Sequence, residues 1–96
     1  MLIDSHCHLD AAEFGGDQAA LAQQALDAGV RWIVLPAVDV ASFDRVVTLA
    51  SALPSCVYAL GIHPMYVAAA VDDDLRVLRD RVAAAMVDSR FVGIGE

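Results

Sequence analysis

The chain has 96 residues, 58% of them hydrophobic, and a formal net charge of -7. That length fits one small domain. The few arginines are scattered, which excludes nucleic-acid binding by phosphate neutralisation alone, and no apolar run reaches the roughly 18 residues of a membrane span.

The mean hydropathy is +0.56 and the isoelectric point is near 4.6. Alanine and valine in short runs account for much of the apolar excess. The start of the chain lacks the basic and apolar regions of a signal peptide, so the expected compartment is the cytoplasm. Cys7 and Cys56 are too few for a disulfide framework and are expected as free thiols in or near strands.

Residues 2–5 read as a short strand that leads into His6-Cys7-His8. Alternation along a strand puts His6 and His8 on one face and Cys7 on the other. Asp10 to Gly16 is a loop, with Asp10 expected to cap it. Asp4 falls with the two histidines by the same alternation and is a candidate to orient an imidazole N–H. Residues 17–28 are alanine-rich and helical, with Asp17 as N-cap and Gly29 at the C-terminal cap. Residues 30–35 form a β-rich run ended by Pro36, a buried strand. Ser42 is the next N-cap, and Phe43, Val46, Val47, Leu49, Ala50 and Leu53 give an apolar stripe that Pro54 stops. Asp39 is expected in a loop role.

Residues 56–60 form a third strand, which runs into Gly61-Ile62-His63-Pro64. Met65 and Tyr66 follow, with packing as their expected role. Asp72-Asp73-Asp74 opens a third helix at its positive dipole end. Leu75, Leu78, Val82, Ala85 and Met86 recur there at helical spacing, and Arg76, Arg79 and Arg81 take the solvated face. Residues 90–94 form a fourth strand before Gly95 and Glu96. Trp32, Val34, Phe91 and Ile94 are expected in the core.

The order β-α-β-α-β-α-β predicts an α/β fold with a parallel sheet. Two architectures satisfy it: a small open doubly wound sheet, or the first half of a (β/α)8 TIM barrel. A Rossmann-type sheet wants a glycine-rich phosphate turn after its first strand, and this chain has His-x-His there. His6 and His8 end strand 1, His63 ends strand 3 and Glu96 ends strand 4. In a parallel fold these positions share the C-terminal edge, where active sites form. Imidazoles and a carboxylate converging on one edge are a donor set for a divalent cation.

Three stretches, Ile3-Asp4-Ser5-His6-Cys7-His8-Leu9-Asp10, Gly61-Ile62-His63-Pro64 and Gly93-Ile94-Gly95-Glu96, together resemble the TatD-type metal-dependent deoxyribonucleases among the amidohydrolase-like TIM-barrel hydrolases. The likeness runs along the whole chain in order and spacing. It implies a TIM barrel, one or two divalent cations (Mg, Zn, Mn, Co or Ni, not distinguished) and hydrolysis of phosphodiester bonds in DNA. It makes His6, His8 and Glu96 metal ligands, and gives His63 and Glu96 catalytic roles, His63 near the substrate phosphate. The family often has a second histidine after the His-Pro pair, where this chain has Met65. Members of the family are longer and draw two more histidines and an aspartate from later strands. Residues 1–96 are therefore expected to be the N-terminal half of such a domain, with the general base and the rest of the barrel elsewhere. A metal-dependent deacylase or amidohydrolase on the same barrel stays open as an alternative, as does a non-catalytic truncated module. No membrane partner is expected, and the oligomeric state is not set by the sequence.

Overall fold

Four strands and three α-helices alternate along the chain, and a computed structural model describes all 96 residues. The strands are β1 (Leu2–Asp4), β2 (Val30–Pro36), β3 (Cys56–Leu60) and β4 (Phe91–Ile94). The helices are α1 (Gln18–Asp27), α2 (Phe43–Ala52) and α3 (Asp72–Ala85). All strands pair in parallel, in the spatial order β1-β2-β3-β4. This order decides between the two architectures. A doubly wound sheet reverses direction at a switch point. Here each strand lies beside its predecessor, which is the progression of a TIM-barrel half.

One face of the sheet carries the core. Ile33 and Leu35 of β2 and Cys56, Tyr58 and Leu60 of β3 alternate onto it and are buried. Ala22 of α1, Phe43, Val46 and Ala50 of α2, and Ala85 of α3 join them in one cluster. Phe43, Val46 and Ala50 follow the three-to-four-residue spacing of a helix face, so α2 is the central packing helix. Gly29, at φ +99°, turns the chain from α1 into β2 in a conformation that disfavours any side chain. No helix is long and apolar enough to cross a membrane.

Several expectations need correction. β1 stops at Asp4, so strand alternation does not itself place His6 and His8. Asp17 and Ser42 stand at the N-caps of α1 and α2 but make no capping hydrogen bond there. Ser42 instead closes the turn before α2. Its hydroxyl donates to the Asp39 carbonyl, and its N–H donates to the Asp39 carboxylate at 2.9 Å. Asp39 thus has the loop role read for it. Leu75, Met86 and Ile94 are exposed rather than packed. Trp32, Val34 and Phe91 are only half-buried. Leu2 and Ile3 of β1 and Val92 and Ile94 of β4 are all more than half exposed, because each outer strand has a neighbouring strand on one side only.

At the end opposite the candidate site, Tyr58 donates its hydroxyl to Asp88 at 2.8 Å, and Asp88 also accepts the backbone N–H of Arg90. These bonds hold the Asp88 carboxyl below its ordinary range, the backbone N–H contributing most. Burial, then the bond to Asp88, pushes the Tyr58 phenol up to about 12. Its pKa is raised in the fold, so its contribution is whole below the unfolded value of about 10 and is lost as pH climbs from about 10 to about 12. Stability measured by urea unfolding should therefore fall across that window, and Tyr58→Phe should flatten the fall while lowering neutral stability by about 1 kcal/mol.

Candidate metal centre

Three backbone hydrogen bonds bring the site together. Cys7 N–H donates to the Val34 carbonyl at 3.0 Å, which fixes the turn between His6 and His8 against β2. His63 N–H donates to the Val38 carbonyl at 2.7 Å, and Gly95 N–H to the Leu60 carbonyl at 3.0 Å. Each bond falls on or beside a site residue, just beyond a strand end. The β3–β4 approach is very close. A Cβ on Gly61 would stand 2.6 Å from the Gly95 carbonyl oxygen, so only glycine fits there.

Glu96 is the centre of the arrangement. Its Oε1 lies 3.3 Å from His6 Nε2 and 3.1 Å from His8 Nε2, and the two imidazole nitrogens are 3.2 Å apart. Its Oε2 lies 3.3 Å from His63 Nε2. The Glu96 side chain is only 10% exposed, while those of His6 and His8 are 48% and 41% exposed, so the cluster opens to one side. Glu96 Oε1 is buried and has no hydrogen-bond partner. An orphaned carboxylate oxygen is costly unless something cationic meets it. His6 Nε2, His8 Nε2 and Glu96 Oε1 form a three-donor group, the one grouping of His, Cys, Asp and Glu in the chain with ligand geometry. Donors about 2.0–2.1 Å from one tetrahedral cation stand about 3.3 Å apart, and octahedral neighbours about 3.0 Å. The observed spacings of 3.1–3.3 Å fit one face of either shell.

His63 differs from the other two. Its Nδ1 accepts the backbone N–H of Met65 at 2.9 Å. A neutral imidazole then carries its proton on Nε2, the atom that points at Glu96 Oε2. His63 faces the carboxylate through Nε2 and lies outside the three-donor group. Tyr66 meets its ring edge-on, with centroids 6.0 Å apart. Cys7 packs against the core, and burial, with Asp4 adding to it, pushes its thiol up, so the neutral form is favoured. The expectation that it points away from the histidines holds.

Two acids are placed differently from expectation. Asp4 accepts the backbone N–H of His6 at 3.2 Å and makes no hydrogen bond to an imidazole. Asp10 is not a cap. Its side chain is only 8% exposed and pairs with Arg45 at 3.5 Å. Met65 is 82% and Tyr66 43% exposed, so neither is packed away. Together with His8, His63 and Arg45 they border a cavity of about 460 Å³ beside the cluster. Arg45 was missed in the sequence. Its signal is position: a charged side chain in the first turn of a helix that follows a parallel strand lies at the C-terminal edge of the sheet.

With this geometry in hand, known proteins give the context. Residues 3–96 match the family model described as TatD related DNase. The chain belongs to the TatD-related DNase family. It is similar, at 37% identity over 98% of its length, to a protein of Escherichia coli K12 named "Uncharacterized metal-dependent hydrolase YjjV". The crystal structure of that TatD homologue matches 99% of this chain with a TM-score of 0.90 and 36% identity. A Danio rerio protein named "Putative deoxyribonuclease tatdn3" is 36% identical over 66% of the chain. The chain spans 36% of the length of the E. coli relative and 24% of the zebrafish one.

The tautomer and the close approach can both be checked. The nitrogen-15 shifts of His63 should mark Nε2 as the protonated nitrogen, and Met65→Pro, which removes the donor N–H, should abolish that preference. Gly61→Ala should cost about 1–3 kcal/mol in chemical unfolding, because a backbone contact must open to admit the methyl group.

Proposed function

We propose that this chain supplies the metal-binding edge of a hydrolase that cleaves phosphodiester bonds in DNA. The observation that carries metal-dependent hydrolysis is the three-donor group of His6 Nε2, His8 Nε2 and Glu96 Oε1, with an orphaned oxygen at its centre. DNA as the substrate rests on the family description and on the deoxyribonuclease name of the zebrafish relative.

In this reading His6, His8 and Glu96 are the ligands. A divalent cation held there would lower the pKa of a bound water to about 7 and polarise the phosphoryl oxygen. His6 and His8 would hold it through Nε2. Glu96 offers Oε1, and His63 keeps Glu96 oriented by donating from Nε2 to Oε2. His63 stands beside the reacting phosphate in this reading and acts on it through Glu96, because its Nδ1 accepts from Met65 and its one N–H faces the carboxylate. The cation supplies the positive charge that an acidic chain lacks. Residues 1–96 serve as the N-terminal half of the barrel, further ligands and the general base come from later strands, and the protein works in the cytoplasm.

A second reading has its own support. The E. coli relative, matched over nearly the whole chain, is named only as a metal-dependent hydrolase. The same donors would suit a carboxylic ester or amide. Hydrolysis of such compounds, with DNA left intact, would favour it.

The deciding experiment is metal titration by calorimetry beside a nuclease assay on the native full-length protein. His6→Ala, His8→Ala and Glu96→Ala should each weaken Zn or Mn binding by on the order of 100-fold or more and abolish DNA cleavage. His63→Ala should keep most of the metal affinity and lower turnover by roughly 10- to 100-fold. Unaltered metal binding in Glu96→Ala would overturn the assignment.

A further inference from the structure

The six arginines are the only Lys or Arg side chains in the chain. Five are engaged elsewhere. Arg76 pairs with Asp73 and Asp80, Arg79 with Asp80, and Arg81 with Asp44. Arg90 donates to the Pro54 and Cys56 carbonyls, and Arg31 stacks on Trp32. Arg45 alone borders the cavity that His8 and His63 share.

Its setting is that of an aimed group. Asp10, with a side chain only 8% exposed, stands 3.5 Å from Arg45 Nε. The other Asp10 oxygen is buried without a partner, so this carboxylate depends on Arg45 for compensation and holds it in place. The contact uses the Nε side of the guanidinium. Nε is the Arg45 nitrogen that faces Asp10, which leaves the two terminal amino groups on a side chain that is 56% exposed. A guanidinium with a free two-nitrogen edge binds a phosphate in bidentate fashion. Exposed Met65 and Tyr66 border the same cavity and offer an apolar and an aromatic surface to a base.

We propose that Arg45, positioned by Asp10, anchors a second backbone phosphate of a single-stranded nucleic-acid substrate, next to the phosphate at the metal centre. This rests on the phosphodiester reading above. It adds a selection rule: the site prefers a strand with consecutive phosphates to an isolated diester. Glu13, on the same cavity, and Asp10 repel an anion elsewhere along the wall, so the contact is confined to the outer edge of Arg45.

The test is binding without turnover. Fluorescein-labelled pentathymidylate is titrated with the native full-length protein in EDTA, with anisotropy read at several salt concentrations. Arg45→Met should bind about tenfold more weakly, and its slope of log K against log salt should be shallower by about 0.7. Arg45→Lys should restore most of the affinity and slope. Arg31→Met, which removes the same charge far from the cavity, should bind as the parent does. A circular-dichroism spectrum that shows Arg45→Met folded at the assay temperature would show that the loss is local. Equal binding by Arg45→Met and the parent, an equal loss in Arg31→Met, or no measurable binding by the parent at low salt would each overturn the proposal. Failure of the phosphodiester reading shows separately, as absence of DNA cleavage by the metal-loaded parent while the anisotropy differences persist.

Discussion

The Glu96 carboxylate, set among three imidazoles, is the constraint on which the rest of the structure depends. A carboxylate that is nine-tenths buried cannot stay there unless polar groups meet it. Those groups come from strand ends far apart in sequence, so the strands must be parallel and their C-terminal ends must share an edge. Gly61 must lack a side chain for the last strand to pass closely enough. The backbone bonds from Cys7, His63 and Gly95 to neighbouring elements fix the three loops independently of the side chains they carry. The cluster is therefore built before any ligand arrives, which is the condition for tight and selective coordination.

Much of the fold was legible because its periodicities are clean. The run Cys56–Leu60 is apolar at every position and is a strand as read, and the structure buries all of it. Phe43, Val46 and Ala50 mark the inner face of α2 by spacing alone. The order of elements alone left a wound sheet and a barrel half open; the family resemblance of the strand-end motifs pointed to the barrel half, and the pairing of each strand with its predecessor bears that out. Ile94 misled for a physical reason. Apolar patterning records which face is meant for contact, and at an outer strand that face has no neighbour here.

The site was legible in its types and spacing, and the reason offered for its geometry was partly wrong. Strand alternation was invoked to bring His6 and His8 together, yet the strand ends at Asp4 and a turn does this work. The distinct role of His63 could not be read from a sequence, because it follows from the Met65 N–H on its Nδ1. Asp10 misled for a similar reason. An acid beside a loop reads as a cap, and its real partner, Arg45, comes from the next helix.

The cluster also joins opposite margins of the sheet. His6 and His8 follow β1 and Glu96 follows β4, the two outer strands, and His6 and Glu96 lie 96 − 6 = 90 positions apart. Closing a flexible loop of that length costs about 4 kcal/mol in entropy. The folded sheet has already met that cost, whereas an unfolded chain retains only the neighbouring His6 and His8 as a weak chelating pair. Were a cation held at the proposed site, Glu96 would be what lets it tell the two states apart, and the bound ion would act as a reversible cross-link across the sheet, raising the melting temperature with the logarithm of its concentration.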